Sequence, residues 1–363
     1  MTSGARRDPK RTLAARVDPF LGNSALDARA CRRNPPQPPR VDSTLHAMAI
    51  HFRHAEPRDL RRCVELVRAH GRGCYDPHTL ERLPVLWESL IASRTHAVHV
   101  LIDDAERGDD ATRGLLSGVF LSARAAKELE VAPRPYVARR ILDDPGAIAD
   151  YEELARSQVA DGADAFGLDF VLADADWSQP GTLRFMPAMV AAAHDWIAGV
   201  RLRSFHRELF GDDLVAVGRA ARMPVHAWSD ADAEAIRRLP AHLRPSLMGM
   251  TAADARSFPA STGWFYFQSS EPTLRFTRAQ RDMLLLALRG LRDDAIGAVL
   301  DVSLHTIQKR WKAVFEHVEE VRPDLIPRRD SGRGRGVERR PHLLAYLRMH
   351  RHELRPRSGR LVV

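Results

Sequence analysis

Two periodicities divide this chain. Between about residues 48 and 250, short apolar runs alternate with stretches of helical period; from 276 onward the helical period alone remains. In the first region, Ile50 and Phe52 alternate with His51 and Arg53, which predicts a strand from Ala49 to His54. Pro57-Arg58-Asp59 then opens a helix with Leu60, Cys63, Val64 and Val67 on one face. A second helix is predicted from Pro77 to Ser93, with Pro84 expected to break or kink it. Ala97 to Ile102 and Leu115 to Leu121 read as an antiparallel hairpin around the charged turn Asp103 to Gly114. Short helices follow at Tyr136 to Leu142 and Ile148 to Ser157, then a strand at Gly167 to Leu172. The longest helical pattern runs from Leu183 to Leu209, and Leu214 to Trp228 is strand-like. The alternation predicts a mixed α/β domain with no internal repeat.

The second region predicts three helices. Thr277 with Gln280 three residues on is a capping box, and Met283, Leu284, Ala287 and Leu288 form one apolar face. Gly290 ends that helix. Ile296, Val299 and Leu300 turn inward in a short second helix. Ser303 caps a third, in which Ile307, Val314, Phe315 and Val318 face the core. His305, Thr306, Gln308, Lys309, Arg310 and Lys312 are left pointing outward.

Residues 276 to 318 resemble the DNA-binding domain of LuxR-type (FixJ/NarL-type) regulators, a helix-turn-helix. The likeness rests on Phe276-Thr277, Gly290-Leu291, Ile296, Leu300, Val302-Ser303 and His305-Thr306-Ile307. The chain departs from the family where Gln280 replaces a glutamate, Gln308 a lysine and Arg310 a histidine. The resemblance implies an all-α DNA-binding domain whose third helix enters the major groove. It assigns Ser303 and Thr306 to phosphate, Lys309, Arg310 and Lys312 to added charge, and His305 and Gln308 to base edges. The implied partners are double-stranded DNA, a second copy of the chain, a small-molecule effector and RNA polymerase. A sigma-factor-like helix pair, or a helical triplet that binds protein instead of DNA, are the alternatives.

Strand, helix, helix, hairpin, together with the opening IHFRHAEPRDLRRCVEL, resembles the start of a GNAT-type acetyltransferase. That family holds the acetyl-CoA pyrophosphate with an Arg/Gln-x-x-Gly-x-Gly/Ala loop between its fourth strand and the next helix. The nearby match, Arg68-Ala69-His70-Gly71-Arg72-Gly73, follows the first helix instead. An acetyltransferase carrying a DNA- or partner-binding tail is therefore the second functional expectation, and a fold of that shape reused as a ligand pocket a third.

Charge supports a division. Residues 1–47 carry a net charge of +5, residues 274–363 carry +9, and the stretch between carries −6. The expected organisation is a disordered, basic, Pro-rich tail (1–47), a mixed α/β sensor or dimerisation domain (48–250), a linker (251–273), the helix-turn-helix (274–320) and a basic tail with a short helix (321–363). Met48 directly precedes the first strand. Either it is the true start, or residues 1–47 are a basic arm. Cys31, Cys63 and Cys74 are odd in number and fit no zinc spacing, and no apolar run would span a bilayer, so a reducing cytoplasm is expected.

Other candidate chemistry is sparse. Asp103-Asp104 reads as a solvated turn. His96 with His99, and His350 with His352, read as surface histidines rather than metal ligands. Trp87, Trp177, Trp196 and Trp228 line a pocket or simply pack. No nucleophile elbow or phosphate-binding Gly-Lys-Ser/Thr loop is present. The expectation is a regulator with no catalytic residues, no metal and no cofactor.

Overall fold

One sheet of six strands carries the fold, ordered along the chain as β1 (Ile50–His54), β2 (Ala97–Asp103), β3 (Thr112–Phe120), β4 (Ala163–Leu172), β5 (Leu202–Phe210) and β6 (Pro245–Thr251). The computed structural model describes residues 50–93, 95–175, 180–259, 261–326 and 339–357. The expectations for residues 1–47, Trp177 and the stretch 327–338 lie outside them.

Every neighbouring pair of strands is antiparallel except β4 and β5, which run parallel. α1 (Leu60–His70) and α2 (Pro77–Ser93) connect β1 to β2, and α2 runs on through Pro84. The predicted β2–β3 hairpin is present. α3 (Ala123–Val131), α4 (Val137–Asp143) and α5 (Tyr151–Val159) lead to β4. The short α6 (Pro180–Leu183) and then α7 (Met186–Ile197) cross from β4 to β5. α8 (Asp212–Ala220) and α9 (Asp230–Arg237) lead to β6, and α10 (Ala252–Ser257) and α11 (Thr262–Tyr266) follow it.

Both faces of the sheet are covered. Val98, Val100, Leu115, Val119 and Phe166 pack with Leu66, Leu83 and Trp87 beneath α1 and α2. On the other face, Phe120, Ala165 and Phe205 pack with Trp196 of α7. A sheet buried on both faces needs no polar alternation, which is why β2 and β3 read as continuous apolar runs.

The third layer is helical: α12 (Arg278–Leu288), α13 (Asp293–Leu300) and α14 (Leu304–Val321), joined by α15 (Arg339–Met349). Met283, Leu284, Ile296, Ile307, Val314 and Val318 share a core with Leu343 and Leu347 of α15. Trp311, which sequence reading left unassigned, is buried with them.

Several expectations are corrected. The helix from Leu183 to Leu209 is two elements: α7 stops at Ile197, and β5 starts at Leu202 after Gly199, whose φ of +87° breaks the helix. Leu214 to Trp228 begins as α8, not a strand, and β6 was not foreseen. Asp103 is buried and pairs with Arg184 at 3.1 Å, so the Asp103-Asp104 turn is not simply solvated. His96 and His99 are interior residues at 8% and 0% exposure, not surface ones. Among the described residues, no helix is long and apolar enough to cross a membrane.

Candidate active site

The β4–β5 pair is a fork. Their pairing runs from Ala163–Leu202 to Gly167–Arg207 and ends there, although β4 continues to Leu172 against β3 and β5 to Phe210 against β6. Past that point, among the described residues, the facing edges of the two strands have no partner strand, and such edges offer backbone donors and acceptors to an extended ligand.

Asp169 and Arg207 stand at the parting. Asp169 is 4% exposed and accepts hydrogen bonds from the Tyr75 hydroxyl at 2.9 Å and from the Ser117 hydroxyl. Burial lifts its carboxyl above the ordinary range, against the pull of those two donors. Arg207 stacks its guanidinium 4.2 Å from the centre of the Phe170 ring, and its Nε has no hydrogen-bond partner. No carboxylate lies within salt-bridge reach of it among the described residues. Burial lowers its pKa to about 10, which leaves it charged at neutral pH.

On one side of the fork Ser117, Asp169 and Arg207 meet a cavity of about 80 Å³ walled by apolar residues including Met189, Trp196, Phe205 and Tyr266. Of the four tryptophans singled out in the sequence, Trp196 lines this space, whereas Trp87 is fully buried in the opposite core. On the other side a smaller cavity of about 40 Å³ lies against Cys74, Arg207 and Glu208. Glu208 accepts the amides of Tyr136 and Val137 at 2.7 and 2.9 Å, and burial nevertheless pushes it up to about 7.

The fit to a coenzyme A pyrophosphate is poor. The chain after β4, Ala173 to Phe185, carries no Arg/Gln-x-x-Gly-x-Gly/Ala pattern. The displaced match does come near the fork, since Gly71 and Arg72 line the smaller cavity. Its groups are already used: the Gly71 amide bonds to Val67, and Arg72 pairs with Asp213 at 2.5 Å. These residues form no phosphate cradle.

The residues proposed to touch DNA lie elsewhere, on the first turns of α14. Ser303 accepts the Thr306 amide at 3.2 Å as the helix cap, and the two hydroxyls lie 3.0 Å apart. His305, Gln308 and Lys309 are exposed, Arg310 is partly covered, and Lys312 pairs with Glu316 at 3.6 Å. α15 covers another flank of α14: Arg340 lies over Trp311 and Arg339 over Phe315. The polar face is outward as read, but an outward polar face is what any solvated helix presents.

Sequence reading singled out none of Ser117, Asp169, Arg207 and Glu208. The available signal was a charged pair, Arg207-Glu208, between Phe205 and Leu209-Phe210, and it was absorbed into a mistaken helix.

No protein-family model matches the chain, and no curated protein matches it either. Solved structures do align with it. NAA60 of Arabidopsis thaliana, solved with a bisubstrate analogue, is 10% identical over 56% of this chain and 98% of its own, with a TM-score of 0.34. The spermidine/spermine N-acetyltransferase SpeG of Vibrio cholerae is 11% identical over 57% and 98%, with a TM-score of 0.33. Diaminobutyrate acetyltransferase EctA of Paenibacillus lautus is 14% identical over 56% and 95%, with a TM-score of 0.31. These alignments are loose, and the description of the sheet rests on this chain's own strand order and forked parallel pair. Their direction corrects the first expectation. The likeness runs to N-acetyltransferases, so the reading as a LuxR-type regulator without enzymatic activity is withdrawn, and with it the DNA, homodimer and RNA polymerase partners that it implied.

Proposed function

We propose that the sheet domain is an acyl-transfer enzyme of GNAT-like architecture, moving an acyl group from a thioester to an amine. The observation that supports it is the β4–β5 fork, with an unpaired arginine at its base and an apolar cavity beside it. An amide-bearing thioester chain would lie in the fork as an added strand, its acyl group in the cavity of about 80 Å³. Arg207 faces the negative charge that develops on the thioester oxygen when the amine attacks. A new C–N bond forms, the C–S bond breaks, and the amine proton passes by way of the Ser117 hydroxyl to Asp169, the buried acceptor. The departing thiolate takes up a proton from solvent. Without a glycine-rich loop to hold a pyrophosphate, recognition falls on the acyl and amide portion of the donor.

Calorimetric titration of the full chain with acetyl-CoA and with S-acetylpantetheine tests this reading. Both should bind, with affinities within about tenfold of each other, and Arg207→Ala should weaken both at least ~10-fold, as loss of one charge-assisted contact implies. If neither thioester binds the folded chain, the acyl-transfer reading is wrong and the fork is a pocket for another ligand.

A further inference from the structure

We infer that His54, His99 and Asp195 form a binding site for a divalent late transition metal of the zinc type, outside the fork and independent of the acyl-transfer reading. The three residues come from separate elements. His54 and His99 face each other across β1 and β2, and Asp195 reaches them from α7. Their donor atoms all lie within 4.8 Å of one another. Two imidazoles and one carboxylate are a donor set suited to zinc and its neighbours.

The His99 Nε2–Asp195 Oδ2 contact is within hydrogen-bond distance, and three observations fit a metal site as well. First, both His54 Nε2 and His99 Nε2 aim at the same oxygen, Asp195 Oδ2, at 3.4 and 3.3 Å. Hydrogen bonds from imidazole to a carboxylate close to about 2.7–2.9 Å when charge-assisted. The longer spacing matches the edge of a tetrahedron whose metal–ligand bonds are about 2.1 Å, roughly 3.4 Å. Second, Asp195 is oriented from behind: Arg351 donates to its other oxygen, Oδ1, at 2.8 Å, which leaves Oδ2 turned to the histidines. A ligand carboxylate is ordinarily held this way. Third, His99 is completely buried, and its Nδ1 has no hydrogen-bond partner. Ring packing holds it instead, with Phe52 at 5.4 Å and His54 at 4.4 Å between centroids.

Asp195 also lines a surface cavity of about 640 Å³ together with Arg348, Arg351 and His352, a route by which water could reach the metal as fourth ligand. That water would complete the tetrahedron. The missing outer hydrogen bond on His99 sets an expectation for strength, namely an affinity about 10–100-fold below that of a fully braced site. Through Arg351 the metal would also fasten the chain that follows α15 to the sheet.

The test uses the untagged full chain, stripped with a chelator and titrated with cobalt(II) and then zinc(II) chloride. One equivalent of cobalt should bind with the visible absorption of a tetrahedral site, zinc should displace it, and zinc should raise the thermal midpoint. His99→Gln and Asp195→Asn should each weaken binding at least ~10-fold. Should the buried His99 variant fail to fold by circular dichroism, His54→Gln, at the partly exposed end of an edge strand, replaces it. Substoichiometric binding by the native chain, or folded variants that bind as tightly as the native chain, would overturn the site.

Discussion

Gly118 has no room for a side chain, because a Cβ there would come within 2.2–2.6 Å of three atoms of the Trp196 indole. Trp196 in turn packs 5.6 Å from Phe120 and 6.2 Å from Phe205, ring to ring, and cannot retreat without disturbing the wall of the fork cavity. Gly118→Ala should therefore cost ~1–3 kcal/mol through overpacking. A urea titration checks this, and a change below about 0.5 kcal/mol would mean the indole moves freely. Glu208 supports a second residue-level prediction. Its folded pKa of about 7 lies above the ordinary 4.5, so its protonated form is favoured by folding. The corresponding stability is fully present below pH 4.5 and is lost as pH rises through 7, by up to about 3 kcal/mol. His54, His96 and His206, each lowered to about 4 by burial, push stability the opposite way over pH 4 to 6.5, so the native chain alone is no test. The difference between native and Glu208→Gln, measured by denaturation at pH 5 and pH 8, isolates the carboxyl. Equal pH slopes for the two proteins would refute the assignment.

At the level of elements, what could be read from the sequence depended on whether an element's polar residues face water. α12 and α14 were legible because their caps are local: Thr277 and Gln280 exchange hydrogen bonds at 3.3 and 2.9 Å, and Ser303 caps three residues ahead. β5 was illegible because Arg203, His206, Arg207 and Glu208 break its apolar run, and three of these four have interior partners or uses. Arg203 pairs with Asp164 at 2.8 Å, Glu208 caps α4, and Arg207 faces the fork. Such violations of local pattern collect at functional sites, so the reading failed where the candidate site begins. Trp311 was missed for a related reason, since its partners come from other elements. Asp293 accepts both the Trp311 indole at 3.1 Å and Arg340 of α15 at 2.7 Å. Asp293→Ala should loosen α15 specifically. Amide exchange across residues 339–349 should accelerate about tenfold, equivalent to ~1.4 kcal/mol, while α7 exchanges as before. Unchanged exchange in α15 would show that its leucines alone hold it.

For the molecule as a whole, the short stretch after α15 joins the helical layer to the sheet. Glu353 is 2% exposed and accepts four hydrogen bonds: from the Thr273 amide at 2.8 Å, the Thr273 hydroxyl at 2.6 Å, the Leu274 amide at 2.7 Å and the Tyr346 hydroxyl at 3.0 Å. Those donors hold its carboxyl below the ordinary range, so it remains an ionised acceptor at neutral pH. One residue on, the Leu354 carbonyl takes the Arg281 Nε of α12 at 2.8 Å, and two residues back Arg351 grips Asp195 of α7. A single short 3-10 helix, Arg351–Leu354, thus ties α12, the approach to α12 and α7 to one segment. The layers should consequently unfold together, with Glu353 as the tie most costly to remove. Glu353→Ala strands four donors, two of them main-chain amides, and by the usual cost of buried unpaired groups should destabilise by ~3–5 kcal/mol. Calorimetry of the native chain should give one transition. The variant should give either a single transition at much lower temperature or two, the helical layer melting first. A variant that melts within about 1 kcal/mol of the native chain would show that the helical layer is held by α15 and its leucines, and that the tail segment is a passive cover.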